Sequence, residues 1–187
     1  MENKYRIKDF LTRIKDKIDI IDGIQYKRVT IKTNHKGVLL RNITDGSDIG
    51  TKKQFKIKKG NFILSKIDAR NGAFGIIPDE LDDAIITGNF WTYEVDQNIV
   101  NIDLFLYLTN SFKFIDICKK ASTGSTHRKY LSEDKFLNQI ISIPEKEKQI
   151  EIVKIIKECK KLQDQIENNR NHGKQLMQAV LNEAFEN

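Results

Sequence analysis

The fold is decided by the junction Leu137-Asn138-Gln139-Ile140-Ile141-Ser142-Ile143-Pro144-Glu145-Lys146-Glu147-Lys148-Gln149-Ile150. Residues 137–143 predict a short apolar strand that closes a globular domain before Pro144. No proline follows Pro144, Gly173 is the single glycine beyond it, and Lys, Glu, Gln, Ile and Leu dominate the composition. The junction therefore predicts a domain of residues 1–144 and a long helix of residues 145–187.

Upstream of the junction, the hydrophobic pattern predicts the fold class α+β, a mixed-strand globular domain followed by a long C-terminal helix. Alternating or short apolar runs predict strands at residues 26–32, 37–41, 62–65, 74–77 and 89–95. Three- and four-residue spacing predicts a helix, or a helix followed by a strand, over residues 5–21 and a helix over residues 103–117.

Downstream of the junction, apolar or small residues recur at three- and four-residue spacing. This stripe comprises Ile152, Ile156, Cys159, Leu162, Ile166, Asn169, Gly173, Leu176 and Val180, with Asn169 as the one polar interruption. A helix of about 40 residues, on the order of 60 Å, is too long to bury such a stripe on one small domain, which predicts pairing with a second helix. A hairpin folded back near residues 168–173 is the alternative. On the seam, Asn169 and Gly173 would weaken or bend the pairing while fixing its register.

The positive charge is confined to part of the domain. The chain carries a net charge of +6, whereas residues 145–187 hold 8 basic and 8 acidic residues. Residues 71–112 contain seven acidic residues and no Lys or Arg, which leaves +13 on residues 1–70 and 113–144. Such segregation indicates a polyanion-binding face backed by an acidic one. A Lys-rich solvated surface is the alternative.

Composition excludes several classes of protein. The sequence lacks a Gly-x-x-x-x-Gly-Lys-Ser/Thr phosphate loop and an Asn/Asp-Pro-Pro-aromatic methyltransferase site. Cys118, Cys159 and three scattered histidines give no metal-ligand spacing. With neither an apolar leader nor an apolar run of about 18 residues, a cytoplasmic protein is expected.

Three segments have side chains suited to DNA. The first is a basic strand with Lys27, Arg28 and Lys32, and the second is a polar loop with Lys66, Arg70 and Asn71. The third is a hydroxyl-rich loop, residues 121–130, that contains Thr123, Ser125, Thr126, His127, Arg128 and Lys129. Arg side chains suit contacts to guanine and Asn side chains suit contacts to adenine, while hydroxyl groups and cations bind phosphates. Each segment also has a structural alternative. The basic strand could simply be an exposed strand with charged side chains, and in the polar loop Asp68 could pair with Arg70 or Arg41 and fix the loop. After the hydroxyl-rich loop, Ser132 could cap a short helix.

Six segments occur in a characteristic order: Tyr26-Lys27-Arg28-Val29-Thr30, residues 59–75, Ile86-Thr87-Gly88-Asn89-Phe90-Trp91, residues 122–128, residues 131–137 and residues 143–150. In this order they resemble a target recognition domain of the specificity subunits of type I restriction-modification systems. The resemblance covers nearly the whole chain.

The resemblance implies a DNA-reading scaffold with neither catalysis nor a cofactor. In that family each recognition domain reads one half of a split target, long helices pair antiparallel as a coiled coil, and methyltransferase subunits dock on the scaffold. The expected partners are double-stranded DNA, a DNA adenine methyltransferase subunit and, where the system restricts, a restriction subunit. Family members usually carry two recognition domains and two long helices, whereas this sequence has one of each. A homodimer that reads an inverted repeat is therefore expected, with pairing to a different half-subunit as the alternative.

Two further functions stay open on sequence alone. One is a stand-alone DNA-binding or helix-mediated interaction protein. The other is a small metal-dependent nuclease that would use Asp79 with Glu133 and Lys135.

Overall fold

Strands build most of the N-terminal part of the chain, and helices dominate the C-terminal part. The computed structural model describes residues 2–125 and 128–185. Their strands are β1 (Glu2–Arg6), β2 (Leu11–Ile14), β3 (Asp16–Asp19), β4 (Gln25–Ile31), β5 (Val38–Asp45), β6 (Lys53–Lys56), β7 (Phe62–Ser65), β8 (Phe74–Ile76), β9 (Ile85–Ile86), β10 (Phe90–Val95), β11 (Ser122–Ser125), β12 (Arg128–Leu131) and β13 (Ile140–Pro144). Their α-helices are α1 (Ile102–Thr109), α2 (Phe112–Lys120), α3 (Glu133–Leu137) and α4 (Lys146–Phe185). The chain divides into two compact units, Met1–Lys146 and Glu147–Asn187.

Two larger sheets organise the first unit. One is antiparallel with the strand order β2-β10-β7-β8, and the other is mixed with the order β3-β6-β9-β4-β5. Two antiparallel pairs, β1 with β13 and β11 with β12, complete the strands of the described residues. The predicted α+β class and the strands at β4, β5, β7, β8 and β10 are confirmed.

Aromatic side chains fill the main core between the antiparallel sheet and helices α1 to α3. Phe62 lies at its centre, with its ring centroid 5.0 Å from that of Phe105. Phe114 contacts both Phe74, at 5.3 Å, and Phe136, at 6.0 Å. The edge-to-face geometry of these pairs adds to the free energy of area burial. A second cluster, which includes Val29, Ile57 and Ile63, forms around the mixed sheet.

The N-terminal segment differs from the sequence expectation. Residues 5–21 form parts of β1, β2 and β3 with a 3-10 turn at Ile7–Asp9, where the spacing predicts a helix or a helix followed by a strand. Glu2–Arg6 pairs along its length with β13 at the other end of the unit. Because this distant partner satisfies the backbone hydrogen bonds, tertiary pairing overrides local periodicity.

Two further elements have different boundaries from those predicted. The predicted helix over residues 103–117 is divided into α1 and α2, because the Ser111 side chain accepts a hydrogen bond from the Phe114 amide and begins a new helix. The predicted strand over residues 137–143 is shorter: α3 extends to Leu137, and β13 begins at Ile140. Ser132 caps α3 by accepting from the Lys135 amide, as the alternative interpretation of that serine anticipates.

The long C-terminal helix is confirmed. Helix α4 runs without interruption from Lys146 to Phe185 and passes through Gly173, which contradicts the folded-back hairpin. Ile152 and Ile156 of the stripe are half-buried, whereas the remainder is exposed: Cys159, Leu162, Ile166, Asn169, Gly173, Leu176 and Val180.

Candidate nucleic-acid interface

A cleft of about 340 Å³ opens beside β4 and is lined by residues from five separate segments. Its polar lining, which we call the polar cleft, includes Arg28, Thr30, Arg41, Ser65, Asp68, Thr87 and Asn89. Ile67 and Phe90 contribute apolar walls. Cations and amides beside apolar surface are the groups that contact phosphates and base edges.

Lys66 connects three of the segments that the sequence singled out. Its amide donates to the Asn89 carbonyl at 2.9 Å, and its carbonyl accepts from the Leu131 amide at 2.7 Å. The Lys66 ammonium also lies 5.8 Å from the centre of the Tyr130 ring, within cation–π range. The polar loop, the 86–91 segment and β12 are therefore held together, although they are far apart in sequence.

Successive side chains of β4 point to opposite faces of the sheet, so the predicted DNA contacts on this strand do not all lie at the polar cleft. Arg28 lines the polar cleft, whereas the Lys27 ammonium donates to the Glu80 carbonyl at 2.9 Å, away from that cleft. Lys32 follows the end of the strand and is exposed. Of the three predicted residues on this strand, the structure brings Arg28 to the cleft.

The cleft also contains residues that the predicted set omits. The β4–β5 register shifts between Arg28 and Val29, so Arg41 has no pairing partner on β4, and its side chain lines the cleft. Asn89 contributes from the turn before β10. A bulge leaves no sequence signal, whereas Asn89 lies within the 86–91 segment and could have been included.

The polar loop presents its residues to two clefts. Asp68 accepts from the Asn71 side-chain amide at 3.1 Å, and the Ser65 hydroxyl accepts from the Asp68 amide at 3.2 Å. Arg70 and Asn71 line a neighbouring cleft rather than the polar cleft. Of the predicted loop contacts, Arg70 and Asn71 therefore line the neighbouring cleft, and Lys66 is not among the residues that line either cleft.

Where the sequence predicts a loop over residues 121–130, the described residues form two paired strands, which we call the hairpin. β11 and β12 pair antiparallel, with Thr123 opposite Tyr130 and Gly124 opposite Lys129. Thr123 and Lys129 are exposed. Hydroxyl-bearing and basic side chains suit an exposed β-ribbon as well as a loop, which explains the difference.

Four other predicted contacts fall in the same stretch of the sequence. Ser125 and Arg128 are paired through their backbones, and their side chains are not described. Thr126 and His127 lie outside the described residues.

A half-buried cation supports the sheet that carries this region. Arg13 Nε lies 3.0 Å from Glu133 Oε1, and its guanidinium lies 5.4 Å from the Trp91 ring and 5.3 Å from the Tyr93 ring. The Tyr93 hydroxyl donates to Glu133 at 3.0 Å. Burial lowers the pKa of Arg13 and raises that of Tyr93.

The two acidic residues of the nuclease alternative lie in separate ion pairs. Glu133 pairs with Arg13, whereas Asp79 lies 3.8 Å from the Lys59 ammonium. Across residues 2–125 and 128–185, His, Cys, Asp and Glu do not gather into a group of three or more that could hold a metal ion. In the same ranges, no helix combines the length and apolar character needed to cross a membrane.

One sequence family matches most of the chain. The profile described as "Type I restriction modification DNA specificity domain" matches residues 2–173. No curated protein sequence matches the chain.

Three solved structures share the fold. The HsdS subunit from Thermoanaerobacter tengcongensis superposes with a TM-score of 0.73 at 16% identity, over 97% of this chain and 49% of that one. A chain from a structure on complex assembly and conformational transition of the type I R-M system superposes with a TM-score of 0.71 at 17% identity. The match covers 98% of this chain and 49% of that one. The S subunit from M. genitalium superposes with a TM-score of 0.54 at 13% identity, over 91% of this chain and 43% of that one. This chain therefore spans about half the length of the structures it matches.

Proposed function

The chain belongs to the family of type I restriction modification DNA specificity domains, and on this premise we propose that it selects the DNA sequence that a partner adenine methyltransferase modifies. The observation that carries the proposal is the polar cleft, in which side chains from β4, β5, the polar loop and the 86–91 segment converge. The chain supplies target choice, and the partner performs the chemistry. A restriction subunit would use the same target choice.

DNA would lie across the polar cleft and the adjoining hairpin. Arg28 and Arg41 supply planar guanidiniums, which suit bidentate contacts to guanine or phosphate. Asn89 adds an exposed amide, while Thr123 and Lys129 extend the polar surface along the hairpin. These groups stand on strands and on short turns tied to strands, so they are ordered before DNA arrives.

Pairing of two copies would complete a bipartite reader. Leu162, Ile166, Leu176 and Val180 expose apolar side chains along α4 in the described chain. Antiparallel pairing with the same stripe of a second copy would remove this surface from water. Two-fold symmetry would then place one recognition domain at each end, giving an inverted repeat with an unread spacer.

A methylome tests the proposal directly. The chain is expressed with the adenine methyltransferase encoded beside it in a methylation-free host, and modified adenines are mapped genome-wide. A split palindromic motif that disappears when the chain is omitted supports both target choice and two-fold pairing. A split asymmetric motif supports target choice and contradicts the homodimer. Methylation at the same sites without the chain contradicts the proposal.

A further inference from the structure

A second cleft, on the other side of the polar loop, is larger than the polar cleft. It has a volume of about 700 Å³ and is lined by the β4–β5 turn, the polar loop and α2. We call it the Phe112 cleft; its lining includes Asn34, His35, Arg70, Asn71, Phe112 and Lys119. β4 lines the polar cleft, and the turn that directly follows β4 lines the Phe112 cleft. The Phe112 cleft is therefore next to the candidate DNA surface.

The walls of the Phe112 cleft are fixed to each other. The Asn34 amide donates to the Asn71 carbonyl at 2.8 Å, and the His35 amide donates to the Gly72 carbonyl at 3.1 Å. Both Asn34 and His35 adopt positive φ, so the turn takes a constrained shape to reach the loop. Helix α2 packs against the 3-10 turn Ala69–Asn71 on the opposite side. The cleft is therefore formed before any ligand binds.

Phe112 projects from this cleft into solvent. Helix α2 buries Phe114, Ile117 and Cys118, whereas the Phe112 side chain is 97% exposed. Helical spacing places Phe112 and Lys119 on one face of α2, seven residues apart. A single exposed aromatic is ordinary on its own; its position on the rim of a cation-lined cleft is what suggests a function.

The charges around Phe112 favour a polyanion. Arg70 and Lys119 supply cations, Asn34, Asn71 and Asn110 supply amides, and no carboxylate from the described residues lines the cleft. Asp116, one helical turn from Phe112, is neutralised by Lys120 at 2.7 Å. A protein-docking surface would be expected to show a broader apolar patch around the aromatic anchor.

We propose that Phe112 is a wedge that enters a base step of the bound duplex, while Arg70 and Lys119 bind the phosphates flanking the kink. This inference rests on the proposed DNA binding. Apolar side chains inserted between base pairs unstack one step and bend the duplex, and mismatched or flexible steps unstack most easily. The chain would then discriminate among steps through deformability as well as through base contacts.

The test compares two short duplexes that differ at one central position, which is a normal base pair in one and a T·T mismatch in the other. Both duplexes carry a 2-aminopurine beside that position. The full-length chain is expected to bind the mismatched duplex about tenfold more tightly and to raise the 2-aminopurine fluorescence. Phe112→Ala should remove both effects while affinity for the paired duplex falls little. Phe112→Leu should retain most of the preference because leucine also acts as a wedge.

Tyr107→Ala is the matched control, since Tyr107 is an exposed aromatic on α1 that does not line the cleft. It should leave the mismatch preference and the fluorescence change intact. A Phe112→Ala variant that keeps both effects overturns the wedge and leaves DNA binding in place. Absence of salt-dependent binding to either duplex overturns the proposed function together with the wedge.

Discussion

Lys27 and Arg28 are neighbours on β4, and their side chains lie on opposite faces of the sheet. The Lys27 ammonium donates to the Glu80 carbonyl at 2.9 Å, whereas Arg28 lines the polar cleft. The two residues thus form a natural matched pair, with equal charge, adjacent positions and different surroundings.

Arg28→Ala is expected to weaken binding to a target duplex about tenfold and to reduce the slope of log affinity against log salt by about one. Lys27→Ala should change affinity by less than about twofold, because its ammonium is engaged away from the cleft. Fluorescence anisotropy over a salt series measures both quantities. Equal losses for the two variants would place the DNA surface elsewhere.

Gly72 should be more sensitive to a methyl group than Gly60. Both adopt positive φ, +76° and +78°, so alanine strains either one by about 1 kcal/mol. A Cβ at Gly72 would also lie 3.0 Å from His35 Nε2 and 3.1 Å from the His35 amide nitrogen, whereas nothing lies within 4 Å at Gly60.

Urea unfolding is therefore expected to show Gly72→Ala destabilised by about 1 kcal/mol more than Gly60→Ala. Because the His35 turn forms one wall of the Phe112 cleft, Gly72→Ala should also reduce the mismatch preference. Similar unfolding free energies for the two variants would mean that the His35 turn moves away from the added methyl group without destabilising the fold.

Removal of Glu133 should destabilise the first unit. Glu133→Ala leaves the Arg13 guanidinium, 16% exposed, without its counter-charge and removes the acceptor of the Tyr93 hydroxyl. The free energy of unfolding is expected to fall by about 1–3 kcal/mol. This is less than the cost of breaking a fully buried pair, because Glu133 is 30% exposed. As a control, Asp116→Ala breaks an exposed pair with Lys120 and should cost less than about 0.5 kcal/mol.

Alkaline pH should destabilise the chain partly through Cys118. Burial raises the pKa of this thiol from 9.0 to about 12, so the folded chain keeps a proton that the unfolded chain releases. The stabilising contribution is complete below about pH 9 and is lost as pH rises towards 12. Urea unfolding across this range should show a shallower decline for Cys118→Ala than for the parent chain. Parallel curves would contradict this assignment.

The stripe on α4 should control self-association. Ile166→Asp places a charge on the proposed seam and is expected to shift the chain from dimer to monomer at micromolar concentration. Gln165→Asp adds the same charge beside the seam and should leave the dimer intact. Sedimentation equilibrium distinguishes these states. A parent chain that is monomeric with and without DNA would contradict the homodimer.

Several features followed from the sequence because their signals are local. The alternation in residues 26–32 predicted β4, and a proline-free stretch with three-four spacing predicted α4. The ordered motifs from Tyr26 to Ile150 indicated the family. In each case a residue's immediate neighbours determine which face is buried, so periodicity alone is informative.

Other features depended on partners distant in the chain. Glu2–Arg6 is a strand because β13 pairs with it, and Arg41 reaches the polar cleft because the β4–β5 register shifts. Phe112 resembles its buried neighbours Phe105 and Phe114 in sequence, yet the break between α1 and α2 leaves it exposed on the rim of a cleft.

The sequence by itself therefore determined the class of fold, the long helix and the family, because hydrophobic periodicity and motif order are properties of the chain. Only the tertiary structure decided which side chains share a cleft. Strand pairing and helix packing satisfy backbone hydrogen bonds and bury apolar surface across long sequence separations, which local patterns do not encode.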